Sequence, residues 1–346
     1  MQQPPFVSIC IPVYNGAQYL RETIQSALDQ TFSDFELLII DDGSSDESIS
    51  IISEFECIDP RIVFLRNNRR LGLVGNWNEC IKKSCGKWIK FIFQDDLLEP
   101  DCLKKMIDFI EKSSGKEKMI FCKRDFIVKS HVPDELDNEK IQRKYLWDIF
   151  PNKVHISPID TVKIIIRYPG LNVIGEPSSF LIHREIFDKF GLFDSTMHQV
   201  CDLEYWFRVG VNMQYLLIPE TLVHFRIHKQ STTSSNRDKN WMQMRYLDRI
   251  LLFIKFMTDN SYTSFREKLN MWPFKIFLQT QTAIFARRAR IDAETERNYQ
   301  SKGDFIDFCR EHRDIRILSN TNYFTLVVNY FISRCCLEIK WAFDGL

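Results

Sequence analysis

The chain has 346 residues, room for one large domain with an appendage or for two, and its 45% hydrophobic content with 28 Phe supports a sizeable core. Lys plus Arg and Asp plus Glu both number 46, so a formal net charge of zero argues against a protein that grips nucleic acid through bulk positive potential.

Val7 to Val13 has the pattern of a buried strand, which Tyr14-Asn15-Gly16 ends with turn chemistry. From Ala17 to Gln30 the apolar Tyr19, Leu20, Ile24, Ala27 and Leu28 fall three or four apart, predicting an amphipathic helix. Phe35 to Ile40 is a second strand, ending in Asp41-Asp42-Gly43-Ser44. Ser44 with Glu47 three residues later fits a capping box, which predicts a helix running towards Phe55. Ile62 to Leu65 is a third strand, Asn76 to Ser84 a third helix, and Gly86 leads into Trp88 to Pro100. There Ile89 to Phe93, broken only by Lys90, reads as a buried strand that stops at two adjacent carboxylates, Asp95 and Asp96. A helix over Leu97 to Lys112 and a short strand over Met119 to Cys122 follow. Strand and helix alternate with connections too long for hairpins, so the expected fold is α/β, a doubly wound and mostly parallel sheet with right-handed crossovers.

In such a sheet the ends of strands one, two and four meet at one edge, and ligands bind in the crevice beyond them. That edge gathers Tyr14 and Asn15, Asp41 and Asp42, and Asp95 and Asp96. Any one of these acids reads equally well as a cap, but three polar constellations at corresponding positions point to a site. Adjacent carboxylates repel each other, so something cationic belongs beside them, and oxygen donors suit Mg2+ or Mn2+. Neither GxxxxGK[ST] nor GxGxxG occurs, so a nucleotide phosphate would lack a glycine cradle, and a carboxylate-held metal could neutralise a diphosphate instead.

Three stretches carry a family resemblance: Ser8-Ile9-Cys10-Ile11-Pro12-Val13-Tyr14-Asn15, then Leu38-Ile39-Ile40-Asp41-Asp42-Gly43-Ser44, then Gly86-Lys87-Trp88-Ile89 running on to Gln94-Asp95-Asp96. In this order they resemble the family 2 glycosyltransferases, inverting enzymes with the GT-A fold. The resemblance implies that Pro12 and Tyr14 line the nucleotide base pocket with Asn15 beside them, and that Asp42, with Asp41, accepts hydrogen bonds from base or ribose. It further implies that the Arg69 to Asn78 segment, with Gly72 and Asn78, flanks the nucleotide. Asp96 would be the direct metal ligand and Asp95 would lie nearer the ribose, as a second metal candidate. The chain departs from the commonest form of the motif, which has an acid where Phe93 stands.

Further along, residues 129–152 are charged and loop-like, with Tyr145-Leu146-Trp147 expected to be helical. Leu171 to Phe193 holds Glu176 and Arg184, which the resemblance places near sugar or acceptor, a surface salt bridge being the equal alternative. Asp202-Leu203-Glu204-Tyr205-Trp206-Phe207-Arg208 resembles the family's acid-acid-aromatic-Arg motif. Inverting transfer needs a carboxylate to take the acceptor's proton, and the resemblance assigns this to Asp202 with Glu204 as nearest rival; without it, both acids read as partners of a helix dipole. After the strand-like Tyr215 to Ile218 comes His224-Phe225-Arg226-Ile227-His228. The resemblance places His228 at the metal or diphosphate, and extended backbone would put Arg226 and His228 on one face.

From Arg237 onwards the pattern is helical, over Trp241 to Met257, Phe274 to Arg290 and Ala293 to Arg313, and Arg287-Arg288-Ala289-Arg290 is basic. Packing against the catalytic domain or peripheral membrane contact would both suit these helices. No apolar run approaches the roughly 20 residues of a membrane span, and Met1 to Phe6 does not resemble a secretory signal. Ten scattered Cys without close CxxC pairs, including the adjacent Cys335 and Cys336, suit reduced thiols in a cytoplasmic protein, at the inner face of the membrane if the acceptor is lipid-linked. The expected organisation is a catalytic domain over 1–236, with a nucleotide-binding half at 1–125 and an acceptor-side half at 126–236, then a helical extension over 237–346. The expected activity is metal-dependent transfer from a nucleotide diphosphate sugar, UDP-linked, to a hydroxyl of a glycan or lipid-linked glycan. The competing expectations are a metal-dependent nucleotidyltransferase and a non-catalytic nucleotide-sugar binding protein.

Overall fold

The computed structural model describes residues 3–113, 116–128, 144–228, 230–231, 242–268, 272–295, 299–322, 325–326 and 328–333. The expectations for residues 129–143, Trp241, Cys335 and Cys336 lie outside these described residues. Two compact units form: Met1–Ser157 with Val173–Ser195 and Met213–His228, and Pro158–Asn172 with Thr196–Asn212 and Lys229–Leu346.

The first unit is built on a nine-stranded mixed sheet. Its strands are β1 (Val7–Val13), β2 (Phe35–Asp41), β3 (Ile62–Arg66), β4 (Trp88–Phe91), β5 (Leu97–Leu98), β6 (Met119–Val128), β7 (His155–Ile156), β8 (Phe180–His183) and β9 (Tyr215–Ile227). The order is β3-β2-β1-β4-β8-β6-β9-β5, with β7 also on β9. The β3-β2-β1-β4 half is parallel, and β8 is antiparallel to both β4 and β6. Helices α1 (Ala17–Leu28), α2 (Ser48–Glu56), α3 (Gly72–Lys83) and α4 (Cys102–Ser113) make the crossovers. Buried β-branched and Leu side chains of β1 and β2 share one core with Leu20, Ile24 and Ala27 of α1 and with Leu103, Met106 and Ile107 of α4. Pro12 falls just past the stretch of β1 paired with β4, Val7 to Cys10, at a position where sheets tolerate proline.

Three local expectations are corrected. The capping box does not form: Glu47 precedes α2 without a side-chain cap, and the Ser44 hydroxyl instead accepts from the Asn15 N–H at 2.8 Å. Leu97 and Leu98 are strand rather than helix, because they pair antiparallel with His224 and Val223 of β9, and α4 starts only at Cys102. The strands seeded at Met119 and Tyr215 run on as β6 and β9, since each supplies the other's ladder, with register shifts around Lys123.

The second unit is helical. It contains Pro158–Arg167, Cys201–Gly210, a π-helix at Gln243–Leu247 that continues as Asp248–Thr258, and Trp272–Thr295, Tyr299–Glu311 and Arg313–Leu318. Tyr246, Leu247 and Ile250 pack on Ala286, Ala289 and Ala293, with Phe305, Phe308 and Ile315 closing that core. Among the described residues no helix is long and apolar enough to cross a membrane.

The turn into β4 tolerates only glycine. A Cβ on Gly86 would lie 2.4 Å from the Ser8 backbone nitrogen, and that backbone is held by the parallel ladder. Gly86→Ala is therefore expected to lower unfolding free energy by about 1–3 kcal/mol, read as a shift in denaturant midpoint at unchanged slope.

Candidate active site

Asp96 is fully buried and bonded on both oxygens, Oδ2 accepting from Ser178 Oγ at 2.6 Å and Oδ1 from the Arg226 N–H at 3.1 Å. Burial pushes its carboxyl well above the usual carboxylate range and the charge of Asp95 pushes the same way, while these two hydrogen bonds pull it down. Ser178 is placed by a short 3-10 turn, Pro177–Ser179, and its carbonyl accepts from Lys90 Nζ, a lysine with no exposed surface in the middle of β4. Asp95 Oδ2 lies 2.8 Å from His228 Nε2, and the Asp95 carbonyl accepts from Arg226 Nε at 2.9 Å.

Helix α1 closes this cluster. Tyr19, Glu22 and Thr23, on one helical face by their spacing, meet it: the Tyr19 ring lies 4.7 Å from the His228 ring and 4.5 Å from the Arg226 guanidinium, whose Nη2 pairs with Glu22 at 2.7 Å. Thr23 Oγ1 donates to the Asp96 carbonyl at 2.9 Å. Arg226 of β9 and His228 just past its end thus meet the same cluster. Phe93, where the commonest motif has an acid, stacks on Trp77 at 4.9 Å.

The ends of β1 and β2 form a second cluster. Tyr14 is 37% exposed and carries the Arg70 guanidinium 3.9 Å over its ring, while Gln94 bonds its backbone N–H and carbonyl at 2.9 and 3.2 Å. Asn15 sits at φ 49° and accepts from the Ser45 N–H at 2.8 Å. The Asp41 carboxylate accepts from the Gly43 and Ser44 N–H groups and pairs with Arg66 at 3.3 Å. Asp42 is occupied by the next loop: Oδ1 accepts from Asn67 and the Leu71 N–H, and Oδ2 from the Gly72 N–H, each at 2.8 Å. Gly72 itself has φ +77°, which glycine alone adopts freely.

Asn78 and Arg184 are taken up by backbone groups, while the charge of Glu176 reaches Asp96 and pushes its carboxyl up. The Asn78 amide is bonded at both ends to the Phe193 backbone, at 2.9 and 3.0 Å. Arg184 follows β8 at the opposite end of β4 and donates to the carbonyls of Ile81, Ser84 and Gly86 and to Ser84 Oγ, clamping the end of α3. Glu176 pairs with Arg124, whose guanidinium lies 4.0 Å over the Tyr145 ring. In the second unit, Glu204 is fully buried between Arg208 at 2.8 Å and Tyr262 Oη at 3.1 Å, and burial together with that carboxylate pushes the Tyr262 hydroxyl well up. Asp202, in the first turn of the same helix, accepts from Asn172 Nδ2 at 2.9 Å.

Sequence reasoning did not single out Lys90, Ser178, Arg124 or Glu22, and of these Lys90 carried a signal, as the single charge inside an apolar run, while Arg70 lay within the Arg69 to Asn78 segment already expected to flank the nucleotide. Among the described residues no three His, Cys, Asp or Glu side chains converge as a metal cage. Asp95 and His228 do offer one oxygen and one nitrogen donor side by side, a pair that suits a divalent cation whose remaining ligands are phosphate oxygens.

A family model described as Glycosyl transferase family 2 matches residues 8–191, more than half of the chain. An uncharacterized glycosyltransferase of Rickettsia typhi is 31% identical over 232 residues, 67% of each chain. One of Haemophilus influenzae is 27% identical over 280 residues, 75% of this chain and 80% of that one. Among solved structures, Staphylococcus aureus TarS 1-349 in complex with UDP-GlcNAc aligns with a TM-score of 0.59 at 14% identity, over 96% of this chain and 92% of its own. The mannosyltransferase PcManGT from Pyrobaculum calidifontis, in complex with GDP-Man and Mn2+, aligns at 0.55 and 14% identity, over 98% and 88%. The fold is GT-A, an architecture of glycosyltransferases. The chain belongs to glycosyl transferase family 2 and is a glycosyltransferase.

Asp42 is expected to act by holding the loop beside Tyr14. Asp42→Ala leaves the Leu71 and Gly72 N–H groups and the Asn67 amide without their acceptor, at a cost of about 1–3 kcal/mol in stability. A denaturant midpoint and a nucleoside diphosphate titration on the same sample should both report loss.

Proposed function

We propose that the enzyme transfers a sugar, with inversion, from a nucleoside diphosphate donor, UDP-linked, to a hydroxyl of a glycan or lipid-linked glycan. The observation that carries this reading is the joint placement of Asp95, Asp96, Arg226 and His228 beyond β4, one strand over from exposed Tyr14 and Arg70. The nucleotide base lies against the Tyr14 ring, an apolar face backed by the Arg70 cation. Asp95 and His228 would hold a divalent cation, which when bound would neutralise charge on the diphosphate. Arg226 sets the Asp95 main chain through its side chain and the Asp96 carboxylate through its N–H. The buried, doubly bonded Asp96 is a positioning acid rather than a ligand. A cation beside the diphosphate is supported by the solved neighbour PcManGT, whose structure holds GDP-Man with Mn2+.

For transfer, the acceptor oxygen bonds the anomeric carbon as the bond from that carbon to the diphosphate oxygen breaks. The acceptor proton passes to a carboxylate. Asp202 takes that role, because Glu204 is committed to Arg208 and Tyr262. The leaving nucleoside diphosphate carries away the electron pair of the broken bond.

Calorimetric titration with UDP, GDP and dTDP, each with Mn2+ and then with chelator, tests the donor site. Metal-dependent binding of UDP is expected, and no binding of any of the three by a folded sample would overturn the reading. Asp202→Asn should bind donor as the parent does while transfer falls by roughly 100- to 10,000-fold, measured as released nucleoside diphosphate. Undiminished transfer would move the base elsewhere.

A further inference from the structure

We infer that Asp248, far along the chain, is a positioning residue for the base. This rests on the assignment of Asp202 given above. Asp248 has no exposed surface, and one of its oxygens, Oδ2, accepts three consecutive backbone N–H groups, from His198 at 2.9 Å, Gln199 at 2.5 Å and Val200 at 3.2 Å. Those residues lead directly into the helix Cys201–Gly210, whose second residue is Asp202. Three amides converging on one carboxylate oxygen fix a backbone segment as firmly as a loop can be fixed, and a charged acceptor makes each bond stronger than a neutral one would. The other oxygen, Oδ1, accepts from Gln243 Nε2 at 2.5 Å, so all of the carboxylate is engaged.

The neighbouring residue grips the other side of the base. Arg249 Nε donates to the Gly170 carbonyl at 3.0 Å, and Gly170 turns at φ +70° two residues before Asn172, whose amide bonds Asp202 Oδ2 at 2.9 Å. Arg249 is itself held by the Met244 and Arg245 carbonyls, both at 2.9 Å. Those carbonyls belong to the π-helix Gln243–Leu247, whose wider turn leaves main-chain oxygens without the usual i to i+4 partner. Asp248 and Arg249 thus set the backbone before the base and the side chain that orients it, from one helical turn. A base must be held within a fraction of an ångström of its proton, and a misplacement of about 1 Å costs on the order of 100-fold in rate.

The test uses the full-length enzyme with UDP-GlcNAc or GDP-mannose and Mn2+, water serving as acceptor, read as released UDP or GDP. Asp248→Ala is expected to lower kcat by about 100-fold with donor KM and binding stoichiometry unchanged, and Asp248→Asn, which keeps an oxygen for the three amides, to fall between. Amide exchange at 198–200 should accelerate in the same order, a readout independent of turnover. In an Asp202→Asn background, Asp248→Ala should cause no further loss, since it acts through that carboxylate. A folded Asp248→Ala with parental kcat, or a loss equally visible in donor KM, overturns the inference. Should Asp248→Ala not fold, Asp248→Asn decides, and parental kcat with unchanged exchange overturns it. Normal turnover by Asp202→Asn would overturn the base assignment and this inference together, whereas an inactive Asp202→Asn beside a normal Asp248→Ala would overturn the inference alone.

Discussion

Two acids side by side at the end of a buried strand are a physical problem before they are a site. A carboxylate with no exposed surface loses its hydration, and a second carboxylate next to it makes ionisation harder still. The fold answers with directed bonds: a hydroxyl from the Pro177–Ser179 turn, a backbone N–H from β9, and a guanidinium held between α1 and the Asp95 main chain. The hydroxyl comes from the turn before β8, while the N–H and the guanidinium both belong to Arg226 of β9, which Glu22 of α1 holds, so all three elements must be in place before Asp96 is tolerable. Lys90 extends the same logic one step back, because its buried ammonium is satisfied by the carbonyl of the serine that serves Asp96.

The second unit repeats the pattern with different chemistry. Its two neighbouring acids differ in what surrounds them: Glu204 is neutralised by Arg208 and bonded by a tyrosine, while Asp202 accepts from an amide. A buried ion pair is costly to break and of little use as a base, because its charge is already answered.

Much of the fold was legible because period and turn chemistry are local. β1, with seven apolar or small residues ending at Tyr14-Asn15-Gly16, has the expected limits, and α1 begins at the expected Ala17. Leu97 and Leu98 were misread as helix because nothing nearby reveals that β9 will arrive beside them. Family motifs marked Asp95, Asp96 and His228, and parity alone placed Arg226 with His228. Asn78 and Arg184 lie in equally suggestive stretches, yet their polar atoms are bonded to backbone across 115 and up to 103 residues of chain, a pairing that no local pattern encodes. Ser178 and Glu22 were invisible for the same reason, being ordinary residues whose meaning is entirely in what they touch.

The pleat of β9 limits how this chain can vary in length. His224, Arg226 and His228 alternate with Phe225 and Ile227, so loss or gain of one residue between Leu222 and Arg226 would exchange the polar set for the apolar set. A change of two residues would keep the facing but slide the set by about 7 Å, well beyond the reach of bonds to Asp95 and Asp96. Descendants of this sequence can lengthen or shorten where Pro219, Glu220 and Thr221 are exposed, provided that the change is absorbed before Leu222. Past that point the stretch is closed to insertion and deletion, and drift there can proceed by substitution alone.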